Sequence, residues 1–360
     1  MGQCRRFFLL ALLAACTTQD ERSAPPSQRD SATRTAASTS GGALLYVSNE
    51  DSRNLSVIDQ ASNAVVATIE VGTRPRGVKV SPDGRTVYVA LSGSPKCPPT
   101  MPDAECAKKK VDRRLDGVAV VDVASRKTVK VLPGGLDPET FDVSADGSTL
   151  YVSNEDADSL TIVDIASGRA KSNVKVGREP EGVTVAPDGR TVWVTSEGDH
   201  SVSVIDVATG RALAQIDVGG KRPRSVGFLP DGSKAYVTNE QTANVAVIDP
   251  ATRTLRRMIT LPVGTFPMGI AIPRDGRRVY ISNGRGGTVS VIDAARDSVI
   301  ATVQVGRRPW GISLSRDGKW LYTANGPGND VSVVNTDRLE VVHRIPVGVS
   351  PWGAASGPTP

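Results

Sequence analysis

One stretch constrains this chain more than any other. Ser148 to Gly189, S-T-L-Y-V-S-N-E-D-A-D-S-L-T-I-V-D-I-A-S-G-R-A-K-S-N-V-K-V-G-R-E-P-E-G-V-T-V-A-P-D-G, recurs seven times at a spacing of about 42 residues. A period of that length belongs to repeated supersecondary units, not to one wound domain. Within each copy β-branched residues alternate with small polar ones and turn signals interrupt them, which predicts strands and argues against helical repeats. Four strands are legible per copy. Tyr151 to Asn154 is strand B, Leu160 to Asp164 strand C, Asn173 to Val176 strand D and Gly182 to Val185 strand A. Six aspartate-glycine turns follow strand A, ending at Gly84, Gly147, Gly189, Gly232, Gly276 and Gly318. In these turns aspartate caps its own backbone and glycine takes positive φ.

Seven four-stranded sheets, each burying both faces against its neighbours, have one economical solution to the problem of exposed sheet edges, which is a closed ring. The expected fold is therefore all-β, a seven-bladed β-propeller of antiparallel blades. The repeats begin at a strand B near Leu44 and finish on a lone strand A, Gly353 to Ser356, so that last strand should complete the blade begun by Leu44 to Val71 and close the ring. With aromatics at only 4% of 360 residues, the cores between blades must be built from Val, Ile and Leu.

Ahead of the ring, residues 1–15 read as a signal peptide: Arg5 and Arg6 precede an apolar run from Phe7 to Ala15 that is too short for a mature membrane span. Leu13-Ala14-Ala15-Cys16 resembles the lipobox of bacterial lipoproteins, which implies a lipidated Cys16 as the mature N-terminus. Residues 16–42, rich in Ser, Thr, Ala and Pro, read as a flexible tether, and residues 43–360 as the propeller. The expected location is the cell envelope, with the ring in the periplasm and a lipid anchor as the sole membrane attachment. Thr17 after the cysteine, in place of the aspartate linked to inner-membrane retention, favours the outer membrane.

The net charge of +5 comes from arginines scattered over all blades, with no basic helix or aromatic-interleaved stripe, so no nucleic-acid partner is expected. The one large insertion, Ser92 to Leu115, carries Cys97 and Cys106. Two cysteines across a proline-rich loop outside the cytoplasm read as a disulfide; the rival, a two-thiolate metal site, lacks further ligands.

In an up-and-down blade the D-to-A and B-to-C loops share one face. The D-to-A loops are G-x-x-P-x variants, and since strand A is innermost, the residue after each proline should stand at the mouth of the central channel. Around the ring these are Arg76, Glu139, Glu181, Arg224, Met268, Trp310 and Trp352, half of them charged and half apolar. The B-to-C loops add Asn49-Glu50-Asp51, Asn154-Glu155-Asp156, Ser196 to His200, Asn239-Glu240 and the glycine-rich Asn283 to Gly287 and Asn325 to Asn329. Two accounts stay open. The charges bind the polar end of a ligand or partner loop while Met268 and the tryptophans take its flat part, or the charges pair with each other and the tryptophans seal a blade junction. The asparagines at the ends of strand B are read as loop caps.

Y-V-S-N at Tyr46 and Tyr151 and Y-V-T-N at Tyr236, followed by V-x-V-I-D strands and P-D-G turns, resemble the YVTN-family β-propeller repeat. The series R-P-R-G, D-P-E, E-P-E-G, R-P-R and P-W-G, with N-E-D twice, is more narrowly similar to the β-propeller proteins associated with pyrroloquinoline-quinone-dependent catabolism. That resemblance implies an accessory periplasmic role. The chain departs from it in the lipobox and in Ser92 to Leu115.

Only two histidines occur, and no nucleophile elbow, P-loop, haem-attachment or multi-histidine zinc spacing appears. His343 falls in an outer strand; His200, beside Glu197 and Asp199, is a conceivable general base. The expectation is a monomeric, non-catalytic binding propeller with an unknown small molecule or periplasmic protein as partner and no cofactor named by the sequence. The alternative is a periplasmic quinone- or haem-handling oxidoreductase.

Overall fold

A computed structural model describes residues 42–97, 101–106 and 108–357. The signal, lipobox and tether expected over residues 1–41 lie outside the described residues. The rest forms seven four-stranded antiparallel sheets arranged as a seven-bladed β-propeller. Blade 1 consists of Pro351–Ser356, Leu44–Asn49, Asn54–Asp59 and Ala64–Glu70, so the final strand does complete the first blade. Ring closure by a strand from the far end of the chain ties the first and last repeats together in one hydrogen-bonded ladder, Leu45 opposite Ser356 and Tyr46 opposite Ala355. Blades 2 to 7 follow in chain order, their innermost strands being Val78–Val80, Pro138–Val143, Pro180–Val185, Pro223–Phe228, Pro267–Ala271 and Pro309–Leu314.

Two strand types extend beyond their sequence-level reading. Strand D of blade 3 spans Arg169–Lys175, because an outer edge strand packs on one side only and its exposed polar residues carry no apolar alternation. Strand A of blade 4 starts at Pro180, ahead of Gly182, and its pairing with strand B shifts register between Pro180 and Val183. The same shift follows the proline in five other blades. A bulge of this kind re-aims one side chain without ending the ladder, and here that side chain is the residue after the proline.

Seven apolar cores lie one between each pair of neighbouring blades. They are mainly Val, Ile and Leu, as low aromatic content requires, and each fully buried side chain of that size contributes about 1.5–3 kcal/mol. The six aspartate-glycine turns form as read, with φ of 75° at Gly84 and 64° at Gly276 bounding the set. At the end of strand C, Asp59, Asp122, Asp164 and Asp206 each accept the amide three residues on, so the V-I-D signature is a turn device.

Candidate functional site at the channel mouth

The seven residues that follow the prolines meet at one end of the central channel, where they line a basin of about 680 Å³ together with the B-to-C loops and the blade 2 insertion. Below it the channel narrows to about 180 Å³. Each D-to-A loop reaches the mouth by the same route. The residue before every proline is non-glycine and left-handed, from φ 44° at Arg74 to 57° at Arg222. Proline disfavours the right-handed helical region for its predecessor, and repeated strain of this sort persists only where the surroundings over-determine the backbone.

What over-determines it is legible in hindsight in Y-V-S-N. The Ser or Thr of that motif bridges two blades: Ser48 Oγ donates to the Arg76 carbonyl at 2.6 Å, Ser153 to Glu181 at 2.7 Å, Thr195 to Arg224 at 3.0 Å, Thr238 to Met268 at 2.6 Å and Ser282 to Trp310 at 2.9 Å. The same hydroxyls accept an amide from their own blade's strand A. Each rivet holds the backbone of a mouth residue. Strand A glycines allow the approach: a Cβ on Gly311 would lie 2.5 Å from the Trp352 carbonyl, and one on Gly353 2.6 Å from that of Arg76.

The motif's asparagine works inside the blade. Asn49, Asn154, Asn239, Asn283 and Asn325 are fully buried. Their side-chain amides donate to strand C, as Asn49 does to Asn54 and Ser56, both at 2.9 Å. They also fill the space over a loop glycine, Gly348 for Asn49 and Gly306 for Asn325. They serve the fold, but not as the loop caps expected of them: neither Asn154 nor Asn325 caps the turn that follows it through its side chain, and the amides reach across to strand C.

Charge divides the mouth. In blades 2 to 5 the predicted residues Arg76, Glu139, Glu181 and Arg224 come together and are occupied by one another. Arg76, 3% exposed, pairs with Asp137 and Glu139 and stands 3.8 Å from Glu155. Arg224 is bracketed by Glu181, Glu197 and, at 2.7 Å, Glu240. Burial pushes the Glu181 carboxyl well above the ordinary range, opposed by Arg224 and reinforced by Glu197. Burial acts the same way on Asp137, but Arg76 and the Ser92 hydroxyl outweigh it and leave that carboxyl low. Asp137, Glu139 and Glu155 each place an oxygen within 4.8 Å of the others, a spacing that suits a cation. Arg76 already supplies the positive charge there.

Glu155 differs from its neighbours. It follows the buried Asn154 on a short 3-10 turn, Glu155–Ala157, keeps 34% of its side chain open and has no closer ion pair than Arg76. Burial, then the charge of Glu181, pushes its carboxyl up to about 7. The N-E pair at the end of strand B was visible in sequence; that this glutamate would lack a close ion pair and be held near neutrality was not.

In blades 6, 7 and 1 the mouth is apolar. Trp310 and Trp352 meet edge to face, centroids 5.5 Å apart, both half-exposed and neither part of an inter-blade core. Met268 is buried beside them. The guanidinium of Arg308 lies 4.8 Å over the Trp310 ring.

The insertion leans over this basin. Cys97 and Cys106 form the expected disulfide, Cα atoms 5.8 Å apart. A one-turn helix, Asp103–Cys106, and a 3-10 turn, Arg113–Leu115, are its local structure. Lys96 fastens it to Glu50 and Asp51, both at 2.9 Å, and Arg113 fastens it to Asp156 on the other side. His200 is not among the residues lining the basin: its Nδ1 lies 2.7 Å from the Glu197 carbonyl and 3.4 Å from the Arg222 amide. His343 is exposed on an outer strand.

Against known families, the model for SMP-30/gluconolactonase/LRE-like region proteins matches residues 17–241, and that for lactonase, 7-bladed beta-propeller, matches residues 180–341. No curated protein matches. Among solved structures, a candidate 6-phosphogluconolactonase from Bacteroides fragilis is similar at a TM-score of 0.72 and 17% identity, over 89% of this chain and 99% of that one. The hydrazine synthase of Kuenenia stuttgartiensis is similar at 0.67 and 22%, over 78% and 89%. The dihydro-heme d1 dehydrogenase NirN, in complex with DHE, is similar at 0.60 and 17%, over 86% and 74%. At these identities the likeness is one of fold.

Proposed function

The chain belongs to the SMP-30/gluconolactonase/LRE-like family, and from that premise we propose that it is a binding propeller whose channel mouth receives a small molecule or a partner loop by its flat, apolar part. One observation carries this. Trp310 and Trp352 sit half-exposed on the wall of the basin and contribute to none of the seven cores. Large aromatics without a packing task on a rigid rim offer stacking area at low entropic cost. The four charged mouth residues enter as the wall that shapes the basin; their mutual pairing leaves them few free donors. The test is capture of the native ligand or partner from periplasmic extract by wild type and by Trp310→Ala and Trp352→Ala. Loss of capture with melting within a few degrees supports the reading; unchanged capture overturns it.

The reading extends to place. The ring is held to the outer membrane through lipidated Cys16, in the periplasm, in a role accessory to quinone-dependent oxidation as its repeat signature suggests. Mass spectrometry of membrane-extracted protein checks the anchor, and Cys16→Ser should move the protein to the soluble fraction. The haem-handling alternative receives no support from the basin, since no histidine lines it among the described residues.

A second reading, lactone hydrolysis, is favoured by Glu155. A carboxylate held near neutral pH at the edge of an open basin suits a general base. It would take the proton of a water whose oxygen attacks the lactone carbonyl, and would return it to the ring oxygen as the carbon-oxygen bond breaks. A lactone panel tests this: activity rising through about pH 7 and lost in Glu155→Gln supports it, and no turnover by wild type overturns it.

A further inference from the structure

The cations of the basin are not equivalent. Arg74, Arg76, Arg222, Arg224 and Lys96 each pair with a carboxylate, and Lys109 donates to the Lys96 carbonyl. Arg308 pairs with none among the described residues, and its guanidinium donates to no acceptor there; its one directed contact is the Trp310 face. It is held in place all the same, half-buried, left-handed at φ 52° and followed by Pro309. Burial, with Arg285 and Arg224 adding like charge, works against its ionised form while Glu240 and Glu50 favour it, and the balance lies below the usual arginine range. An arginine in such a setting stays charged, so the basin contains a positive charge that is partly withdrawn from water and has no ion partner among the described residues. Such a group costs stability until an anion meets it.

The surroundings narrow the anion. The guanidinium lies over the face of Trp310, beside the Trp310–Trp352 corner. A planar carboxylate can meet a guanidinium with both oxygens, and an aromatic ring attached to it is within reach of the indoles. A doubly charged phosphate would leave one negative charge unmatched by this single guanidinium, since the other basin arginines and Lys96 already pair with carboxylates. We propose that Arg308 anchors the carboxylate of a planar aromatic ligand whose ring is received by Trp310 and Trp352. This rests on the mouth reading above and adds the chemical class of its ligand.

The test is calorimetric titration of the full chain with 2-naphthoate, 2-naphthamide and gluconate. Wild type should bind naphthoate about tenfold more tightly than naphthamide, the factor expected of one charge-assisted hydrogen-bonded contact, and gluconate more weakly than either. In Arg308→Gln the naphthoate-to-naphthamide ratio should fall to about one, with Arg308→Lys in between, because a point charge keeps attraction but loses the fork. Equal binding of the two naphthyl compounds by wild type, or a ratio unchanged in Arg308→Gln, overturns the anchor. Two failures can be told apart. If naphthamide binds and Trp310→Leu abolishes it while the carboxylate adds nothing, the anchor is wrong and the aromatic mouth stands; if neither naphthyl compound binds, both fall.

Discussion

The two halves of the mouth share one backbone and do opposite things with it. Blades 2 to 5 and blades 6, 7 and 1 present their residues through the same left-handed residue and the same proline, and hydroxyl rivets hold Arg76, Glu181 and Arg224 in the first half and Met268 and Trp310 in the second. In the first half the residues after the proline are charged, and each finds counter-charges from a neighbouring loop: Arg76 with Glu139, Arg224 with Glu181. Arg76, Glu139 and Glu181 are buried, Arg224 is half-buried among three carboxylates, and they have little left to offer a visitor. In the second half the equivalent positions hold the buried Met268 and two tryptophans, Trp310 and Trp352, which meet each other and the Arg308 guanidinium and remain half-buried. The contrast teaches that position in a repeat sets where a side chain stands, and neighbouring chemistry sets whether it is available. A charge at a channel mouth attracts its own kind of partner from the protein; an aromatic edge is satisfied less easily.

If the charged half is a structural seal, breaking it should cost the fold most. Arg224→Ala leaves Glu181 without the arginine that pairs with it, and Glu197 and Glu240 with Arg222 alone, a loss on the order of 3–5 kcal/mol. Urea unfolding measures it, and adding Glu181→Gln should restore part of the loss by removing one buried charge. A Tm unchanged in Arg224→Ala would break the distinction between the halves.

The rivets are a backbone feature common to both, so the next test lies in the open half. Gly311→Ala places a methyl 2.5 Å from the Trp352 carbonyl and 2.7 Å from the Ala354 amide. Neither backbone atom can yield cheaply, and overpacking of this kind costs about 1–3 kcal/mol. The variant should also displace the tryptophan corner, read as a change in near-ultraviolet circular dichroism.

Trp310→Ala should lose only the edge-to-face contact, about 1 kcal/mol, while removing the mouth's aromatic surface. Calorimetry of unfolding beside ligand titration separates the two effects, and a destabilisation as large as that of Arg224→Ala would make the aromatic half structural too.

The smallest effect concerns Glu155, on the boundary of the charged half. Its carboxyl titrates near the ordinary glutamate value when unfolded and at about 7 in the ring. Between those values the folded protein keeps a proton that the unfolded chain has released, so this group's contribution to stability declines as pH rises through that window and stays low above it. Glu155→Gln should flatten the dependence of Tm on pH between about 5 and 7, leaving the rest of the profile in place; an unchanged slope would place Glu155 with its paired neighbours.

Much of this was present in the chain as written. The period of about 42 residues, the period-2 alternation and the aspartate-glycine turns determined seven four-stranded blades, their closure by the last strand and the positions of the seven mouth residues, because each is a local signal repeated until only one architecture can satisfy it. The disulfide between Cys97 and Cys106 was likewise legible, since the two cysteines share one loop. Y-V-S-N was visible as a motif but not as a division of labour, serine between blades and asparagine within one, because that depends on which carbonyl lies across the blade gap. Nor could sequence decide between paired and available charges. Glu139 and Arg76 are 63 residues apart in the chain and adjacent in the ring, and Arg308, in a loop of the same pattern as Arg74 and Arg222, differs from them only in having no acid beside it. Repetition along the chain determines place, whereas electrostatic pairing is a property of neighbours in space, and those exist only once the ring has closed.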